Sequence, residues 1–272
     1  MTQELATTED NAVMALEGFD AFGSQGTEEI GSSDVVMPFL KLIQSTSDEV
    51  KTSKSAYNPD AKPGMFLNTV TQELSEAVTI VPVLFQNRYT EWKPISEGGG
   101  FVNDFGTNPE PYEAVIPDDK GVRKTDAGTE MVCTPTLYAL TVNTKTGEFT
   151  EVIIPFGGTN GKGIRQINSK MKAMRAKNPA TGNMEQLKAW FNVFELTPAV
   201  KSNEKGEWFV ASPSHLCLTP QLENAQGIVA AAENFYNIIQ SGAVQVVAPQ
   251  EHEAESTESA APTHEGDDEI PF

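Results

Sequence analysis

The stretch Gly161-Lys-Gly-Ile-Arg-Gln-Ile-Asn-Ser-Lys-Met-Lys-Ala-Met-Arg-Ala-Lys177 decides how its surroundings are read. Its apolar residues Ile164, Ile167, Met171 and Met174 recur at spacings of three and four, which predicts one face of a helix from Ile164 to Ala176. A hairpin pattern stands on each side. Leu137 to Asn143 and Glu148 to Phe156 flank the turn Thr144-Lys-Thr-Gly147, and Trp190 to Val200 and Glu207 to Ala211 flank Lys201-Ser-Asn-Glu-Lys-Gly206. Further upstream, Ala77 to Phe85 is β-branched and apolar, with Pro82 marking an edge or a bulge. The order is therefore strand, long excursion (88–131), strand, strand, helix, strand, strand, helix. That order predicts a mainly β, α+β chain: an OB-fold-like five-stranded barrel with a helix between strands 3 and 4, a fold that commonly binds single strands. The excursion becomes the loop between strands 1 and 2. The last helix begins at Thr219-Pro220, a capping residue followed by a first-turn proline, and stops before Gly242. Its Ala230-Ala-Ala232 allows close approach, either to the barrel or across the seam of a homo-oligomer. Val36 to Ile43 and Met65 to Val70 call for an additional strand pair or an N-terminal subdomain.

Charge divides the chain into three. The net charge is −19 over 272 residues, but residues 1–34 and 245–272 each hold eight acids and no Lys or Arg, leaving 22 acids for all 19 bases in between. Segments of one charge sign with little apolar content cannot offset their ordering entropy, so 1–34 and 244–272 are expected to be disordered acidic termini around a domain at 35–243. Residues 12–22 are mildly apolar and could form a transient helix. No positive n-region precedes an apolar core, and no apolar run approaches the roughly 18–20 residues of a membrane span. Cys133 and Cys217 fall in apolar, strand-like runs and are expected to be buried reduced thiols. A cytoplasmic protein without a membrane partner follows.

An acidic chain ordinarily repels phosphate. The 161–177 stretch is the exception: Lys162, Arg165, Lys170, Lys172, Arg175 and Lys177 fall within 16 residues, and no acid occurs between Glu151 and Glu185. With the Ile/Met face packed on the barrel, the bases form a stripe at phosphate-contact reach. An ordinary solvated face accounts for them less well, because a face of one sign gains no i,i+4 ion pairs and repels itself. The second candidate is Arg88-Tyr-Thr-Glu-Trp-Lys93, where Arg88 and Lys93 interleave with Tyr89 and Trp92, followed by Phe101, Phe105 and Tyr112. Aromatic faces stack on bases of any sequence while cations track the backbone; the competing assignment is that the rings are core. Gly98-Gly-Gly100 would let the excursion order on a ligand.

Three patterns point towards other chemistry and fall short. Gly157-Gly-Thr-Asn-Gly-Lys-Gly163 lacks both the first glycine and the Ser/Thr of a phosphate loop. Asp60 with Glu91 and Lys93 resembles the PD-(D/E)xK nuclease signature, but Asp60 lies in a turn sequence. His215 and Cys217, with Cys133, lack finger spacing. No catalytic residue, cofactor or metal is therefore expected.

The run Asp267-Asp268-Glu269-Ile270-Pro271-Phe272 leads an acidic segment into an apolar Ile-Pro-Phe. It resembles the acidic tip of bacterial single-stranded DNA-binding proteins (SSBs), and the body resembles the divergent bacteriophage members in general character. Only these six residues match specifically; the long acidic N-terminal segment and the larger body depart from the bacterial pattern. The resemblance implies a protein of DNA replication, recombination and repair that protects single strands in the host cytoplasm. The tip would recruit enzymes by placing Phe272 in an apolar pocket with the acids on a basic rim. A solubilising tail would explain the carboxylates but not Ile270 and Phe272. The alternatives are the metal-dependent nuclease and an adaptor that carries the tip without binding DNA.

Overall fold

A computed structural model describes residues 36–204 and 206–242. The expectations for residues 1–34, for the 12–22 helix and for 244–272, including Asp267, Asp268, Glu269, Ile270, Pro271 and Phe272, lie outside the described residues.

Strands β1 (Leu40–Leu42), β2 (Phe66–Asn68) and β3 (Leu74–Ser75) form a small antiparallel sheet, the additional strand pair called for near residues 35–70. The main sheet has seven strands: β4 (Val78–Trp92), β5 (Phe101–Gly106), β6 (Arg123–Lys124), β7 (Glu130–Val142), β8 (Phe149–Pro155), β11 (Asn192–Asn203) and β12 (Gly206–Leu218). Helix α1 (Glu110–Ala114) lies between β5 and β6. Helix α2 (Gly161–Ala173) and the hairpin β9 (Arg175–Lys177)–β10 (Met184–Gln186) lie between β8 and β11, and α3 (Ala225–Gln240) comes last. The chain is thus mainly β, with few helices and antiparallel sheets.

The five expected strands pair in the order β8-β7-β4-β11-β12, with the expected helix after the third. They do not close into a barrel, because β8 and β12 are not paired. Groups on both edges are engaged elsewhere. On β8, the Ile153 amide donates to Pro38 O at 2.8 Å. On β12, the Gln44 side chain accepts from the Phe209 amide at 2.9 Å and donates to its carbonyl at 3.0 Å. The Ala211 amide donates to Asn160 Oδ1 at 3.0 Å, and Pro213 has no amide to offer. One short segment, Pro38 to Gln44, therefore reaches both edges without joining them.

Alternation along the strands sends side chains to two cores. Val81, Val83, Tyr138, Leu140 and Ile153 face α3, which contributes Ile228, Ala232, Phe235 and Ile239. Ile80, Leu137, Ala139, Val152 and Ile154 face α2, which contributes Ile164 and Ile167 with Met171 beside them. The alanine-rich last helix therefore covers the sheet. Pro82 marks a bulge within a central strand, where the β4–β7 register shifts between Pro82 and Leu84.

Three expected boundaries are corrected. The excursion 88–131 is largely sheet: β4 and β7 continue to Trp92 opposite Glu130, and β5 and β6 pair onto them. The 161–177 helix ends at Ala173, since Pro179 and the Asn178–Asn183 turn, with Gly182 at φ +71°, favour a hairpin over another helical turn. The last helix starts at Ala225, because Thr219 donates its hydroxyl to the buried Trp190 carbonyl at 2.6 Å and a 3₁₀ turn forms over Thr219–Gln221.

Helix α2 sits very close to β12. A Cβ at Gly163 would lie 2.7 Å from the Ala211 carbonyl oxygen. Gly163→Ala is therefore expected to lower stability in urea unfolding by about 1–3 kcal/mol, although alanine gains about 1 kcal/mol in helix propensity; a stabilised variant would contradict the packing. His215 on β12 meets Phe194 edge-on at 5.2 Å. Burial holds its imidazole below the ordinary range, and Lys170 adds like-charge repulsion. The unfolded chain thus takes up this proton more readily, so the neutral ring's contribution is intact above about pH 6.5 and lost as pH falls below it. His215→Phe should lose less melting temperature than the parent between about pH 7.5 and pH 5.

Candidate nucleic-acid interface

Beyond the two helices, β4 and β7 form an arm with two unlike faces. Residues opposite one another on an antiparallel pair share a face. Tyr89 lies opposite Cys133, and Glu91 opposite Met131, whose other neighbour is Arg123 of β6. This face is filled from within the chain. The Tyr89 ring meets Tyr112 of α1 at 5.2 Å, and the Arg123 guanidinium stands 4.5 Å over the Tyr112 ring. Arg123 also donates to the carbonyls of Tyr112 and Val115, and Thr129 donates to Glu91. Burial raises the Tyr89 phenol above its ordinary range, as it does the Cys133 thiol.

The opposite face carries Arg88, Thr90 and Trp92, with Thr134, Val132 and Glu130 across from them. Arg88 is committed: its guanidinium donates to Asp104 Oδ2 at 2.5 Å and to the Tyr138 hydroxyl at 3.4 Å. Trp92 donates to Thr90 Oγ1 at 2.8 Å and meets Phe101 edge-on at 5.4 Å. Phe101 is 43% exposed, and Val102 and Val132 are exposed beside it. Lys93 is exposed just past the end of β4, and Phe105 is half-buried. The aromatic sequence 88–105 is thus split by strand alternation: half-buried Tyr89 packs on Tyr112 on one face, whereas half-buried Trp92 lies on the other against the exposed Phe101.

The basic stretch is likewise divided. Lys162, Arg165, Lys170 and Lys172 lie on α2, while Arg175 and Lys177 lie on β9. All six are exposed, and among the described residues none makes an ion pair. With about 3.6 residues per turn, Lys162, Arg165 and Lys172 share the side away from Ile164 and Ile167, and Lys170 flanks the packed face near His215. The segment leading into α2 meets the root of the arm: the Phe156 amide donates to Pro135 O at 2.8 Å, and a Cβ at Gly157 would lie 3.9 Å from Thr134 Cγ2. Thr134 is the partner of Arg88 across the arm. The loop before α2 therefore reaches the arm at Thr134, while Arg88 turns to Tyr138 on the α3 side of the sheet.

Other candidates come apart. Asp60 lies in a turn closed by Asn58, and Glu91 accepts from Thr129. Cys133 sits on the arm and Cys217 opposite Val193, as half-buried free thiols rather than fully buried ones. Among the described residues no three His, Cys, Asp or Glu side chains group to hold a metal, and no helix is long and apolar enough to cross a membrane. The glycine-rich 157–163 run is a 3₁₀ turn entering α2, with Asn160 spent on β12.

Sequence patterning passed over one region, the outer half of the β11–β12 hairpin. The pattern there predicts a six-residue turn, yet the strands continue to Asn203 and resume at Gly206, placing Lys201 opposite Trp208 beside an exposed Val200. The available signal was the Trp208-Phe209 pair next to Lys201, the same mixture of ring and cation as Trp92-Lys93.

Comparison with known proteins bears on this arrangement through its family. No curated protein and no solved structure matches the chain. A family model described as Pam3 phage gp34-like protein matches residues 7–245. The match spans all of the described body, and the chain belongs to the Pam3 phage gp34-like protein family.

Proposed function

We propose that this phage-family protein is a sequence-independent single-stranded DNA-binding protein of replication, recombination and repair, without catalytic activity of its own. The observation that carries the proposal is the set of six exposed bases on α2 and β9, free of ion pairs among the described residues in a chain of net charge −19. A cation held beside a carboxylate gives up that partner to bind phosphate; these six have none to give up. Each phosphate neutralised on a single strand releases condensed counterions, which drives binding. The strand order β8-β7-β4-β11-β12 with a helix after the third strand supports an open OB-like frame. In that frame the β4–β7 arm and the β11–β12 hairpin are the two connections known to line oligonucleotide grooves. Trp92 and Phe101 would then offer stacking faces worth about 1–3 kcal/mol per base. The Asp267–Phe272 run supports recruitment of replication and repair proteins, with Ile270 and Phe272 entering an apolar pocket and the acids meeting a basic rim.

The proposal is checked by fluorescence anisotropy on labelled oligo-dT across a salt titration. The triple variant Lys162→Ala, Arg165→Ala, Lys172→Ala is expected to flatten the slope of log K against log salt by about 2, at ~0.7 per lost contact. Labelled strands should remain intact with Mg²⁺ or Mn²⁺ present. Cleavage would favour the nuclease built on Asp60, Glu91 and Lys93, and absence of binding even without both acidic segments would favour the adaptor.

The acidic segments also compete with phosphate for the same bases. Deleting residues 245–272 is expected to tighten oligo-dT binding at low salt, with the gain shrinking as the Debye length falls to about 8 Å and below, and to abolish capture of partner enzymes. Equal affinities for the two chains at every salt concentration would remove the competition.

A further inference from the structure

The hairpin β9–β10 has no part in either core, and all six of its strand residues are exposed. A two-stranded ribbon is marginal in water unless something else orders it. Here the order comes from its own turn. The Asn178 amide donates to Asn183 O at 2.8 Å, the Gly182 amide to Asn178 O at 2.8 Å, and the Leu187 amide to Met174 O at 3.2 Å, which ties the hairpin to the end of α2. Glu185, the acid on the two strands, is turned inward to this turn. Its Oε1 accepts from the Thr181 hydroxyl at 2.6 Å and its Oε2 from Asn178 Nδ2 at 2.8 Å.

Register sorts the remaining side chains. Arg175 lies opposite Gln186, Ala176 opposite Glu185, and Lys177 opposite Met184. Directly opposed residues share a face and neighbours along a strand alternate. One face therefore presents Arg175, Lys177, Gln186 and Met184, and the other presents Ala176 and Glu185. The first face has two cations, an amide and a thioether that is 58% exposed, with no acid. Arg175 and Lys177 stand about 6.7 Å apart along the strand, twice the rise per residue, a span suited to successive phosphates of an extended strand.

We infer that the Arg175, Lys177, Met184 and Gln186 face of the β9–β10 hairpin is a preformed single-strand contact, with the cations on phosphates and Met184 and Gln186 on a base. It rests on the proposed DNA-binding function and gives one part of that site a defined chemistry. Charge complementarity selects the occupant: two adjacent cations without an acid on the same face favour a polyanion. The polarizable thioether supplies a flat apolar contact to a base ring, and the amide supplies donor and acceptor to a base edge. The inward Glu185 keeps the ribbon shaped while leaving the contact face free of negative charge.

The full chain and its variants are titrated with oligo-dT and with an abasic strand of equal length over a range of salt. Arg175→Ala with Lys177→Ala should flatten the salt slope by about 1.4, at ~0.7 per contact, on both ligands. Met184→Ala should weaken oligo-dT several-fold and leave the abasic strand unchanged. Gln186→Lys, which adds a cation to the contact face, should steepen the slope, whereas Ala176→Lys on the opposite face should not. If the Arg175/Lys177 double variant keeps the parental slope while the α2 triple variant loses its own, the hairpin is not a contact and DNA binding still stands. If Ala176→Lys and Gln186→Lys act alike, the effect is a general field and the face assignment fails. If the parent and the chain without acidic segments both ignore oligo-dT, the underlying function fails and the hairpin contact with it.

Discussion

Strand β4 runs for 15 residues, and the two helices cover only its first part. From Val78 to Phe85 its side chains alternate between a core closed by α3 and a core closed by α2. The bulge at Pro82–Leu84 resets the alternation so that Leu84 still meets Tyr138 and Phe85 still meets Leu137. Beyond Phe85 neither core takes up a residue of β4. A strand longer than the layer covering it must find other partners for its outer half, and here it finds them in its own excursion. Strand β5 extends the sheet beside β4, α1 and β6 fold back over one face around Tyr89, Tyr112 and Arg123, and Trp92 lies on the other face against the exposed Phe101. The arm is therefore a consequence of β4's length, and its two faces are a consequence of strand alternation.

The same constraint sets where charge can go. Arg88 stands where helix cover ends, and it is neutralised by Asp104 from the returning strand at a half-buried site. A cation there cannot be left bare, because desolvating an unpaired charge costs several kcal/mol. The six bases of α2 and β9 lie fully on the surface and need no such partner. Exposed cations elsewhere are paired too, Lys188 with Glu233 and Lys124 with Glu130, whereas the six on α2 and β9 stand together without a carboxylate partner among the described residues. The distinction separates Arg88, a residue that holds the arm together, from Lys162 onward, residues with nothing to hold.

Much of the architecture was legible because apolar periodicity is strong where burial is two-sided. The Ala77–Phe85, Leu137–Asn143 and Glu148–Phe156 runs, the Ile164–Met171 spacing and the strand order all follow from residues whose environment is the core. Legibility fell where burial did. In the outer β11–β12 hairpin the residues from Lys201 to Asn203 are exposed on a paired strand, so they carry no apolar alternation to read. The helix ends at Ala173 rather than Ala176 because the Asn178–Asn183 turn draws the chain into a hairpin, an end the apolar period does not signal, since Met174 fits it equally well as a cap. Closure of the barrel was invisible for a related reason: it depended on what Gln44 and Asn160 side chains do at a distant edge.

By itself the sequence determined the inventory: a nearly neutral mixed body between two acidic segments, the main strands and helices, and a cluster of six bases where acids are absent. These depend on composition and local spacing, which no folding partner can alter. Only the tertiary structure decided which of those residues are available. Strand register put Tyr89 and Trp92 on opposite faces, an ion pair occupied Arg88, and a turn at Pro179 moved Arg175 and Lys177 from a helix to a ribbon whose acid faces the other way. Availability is a property of pairing across the sheet, and pairing joins residues that lie tens of positions apart in the chain.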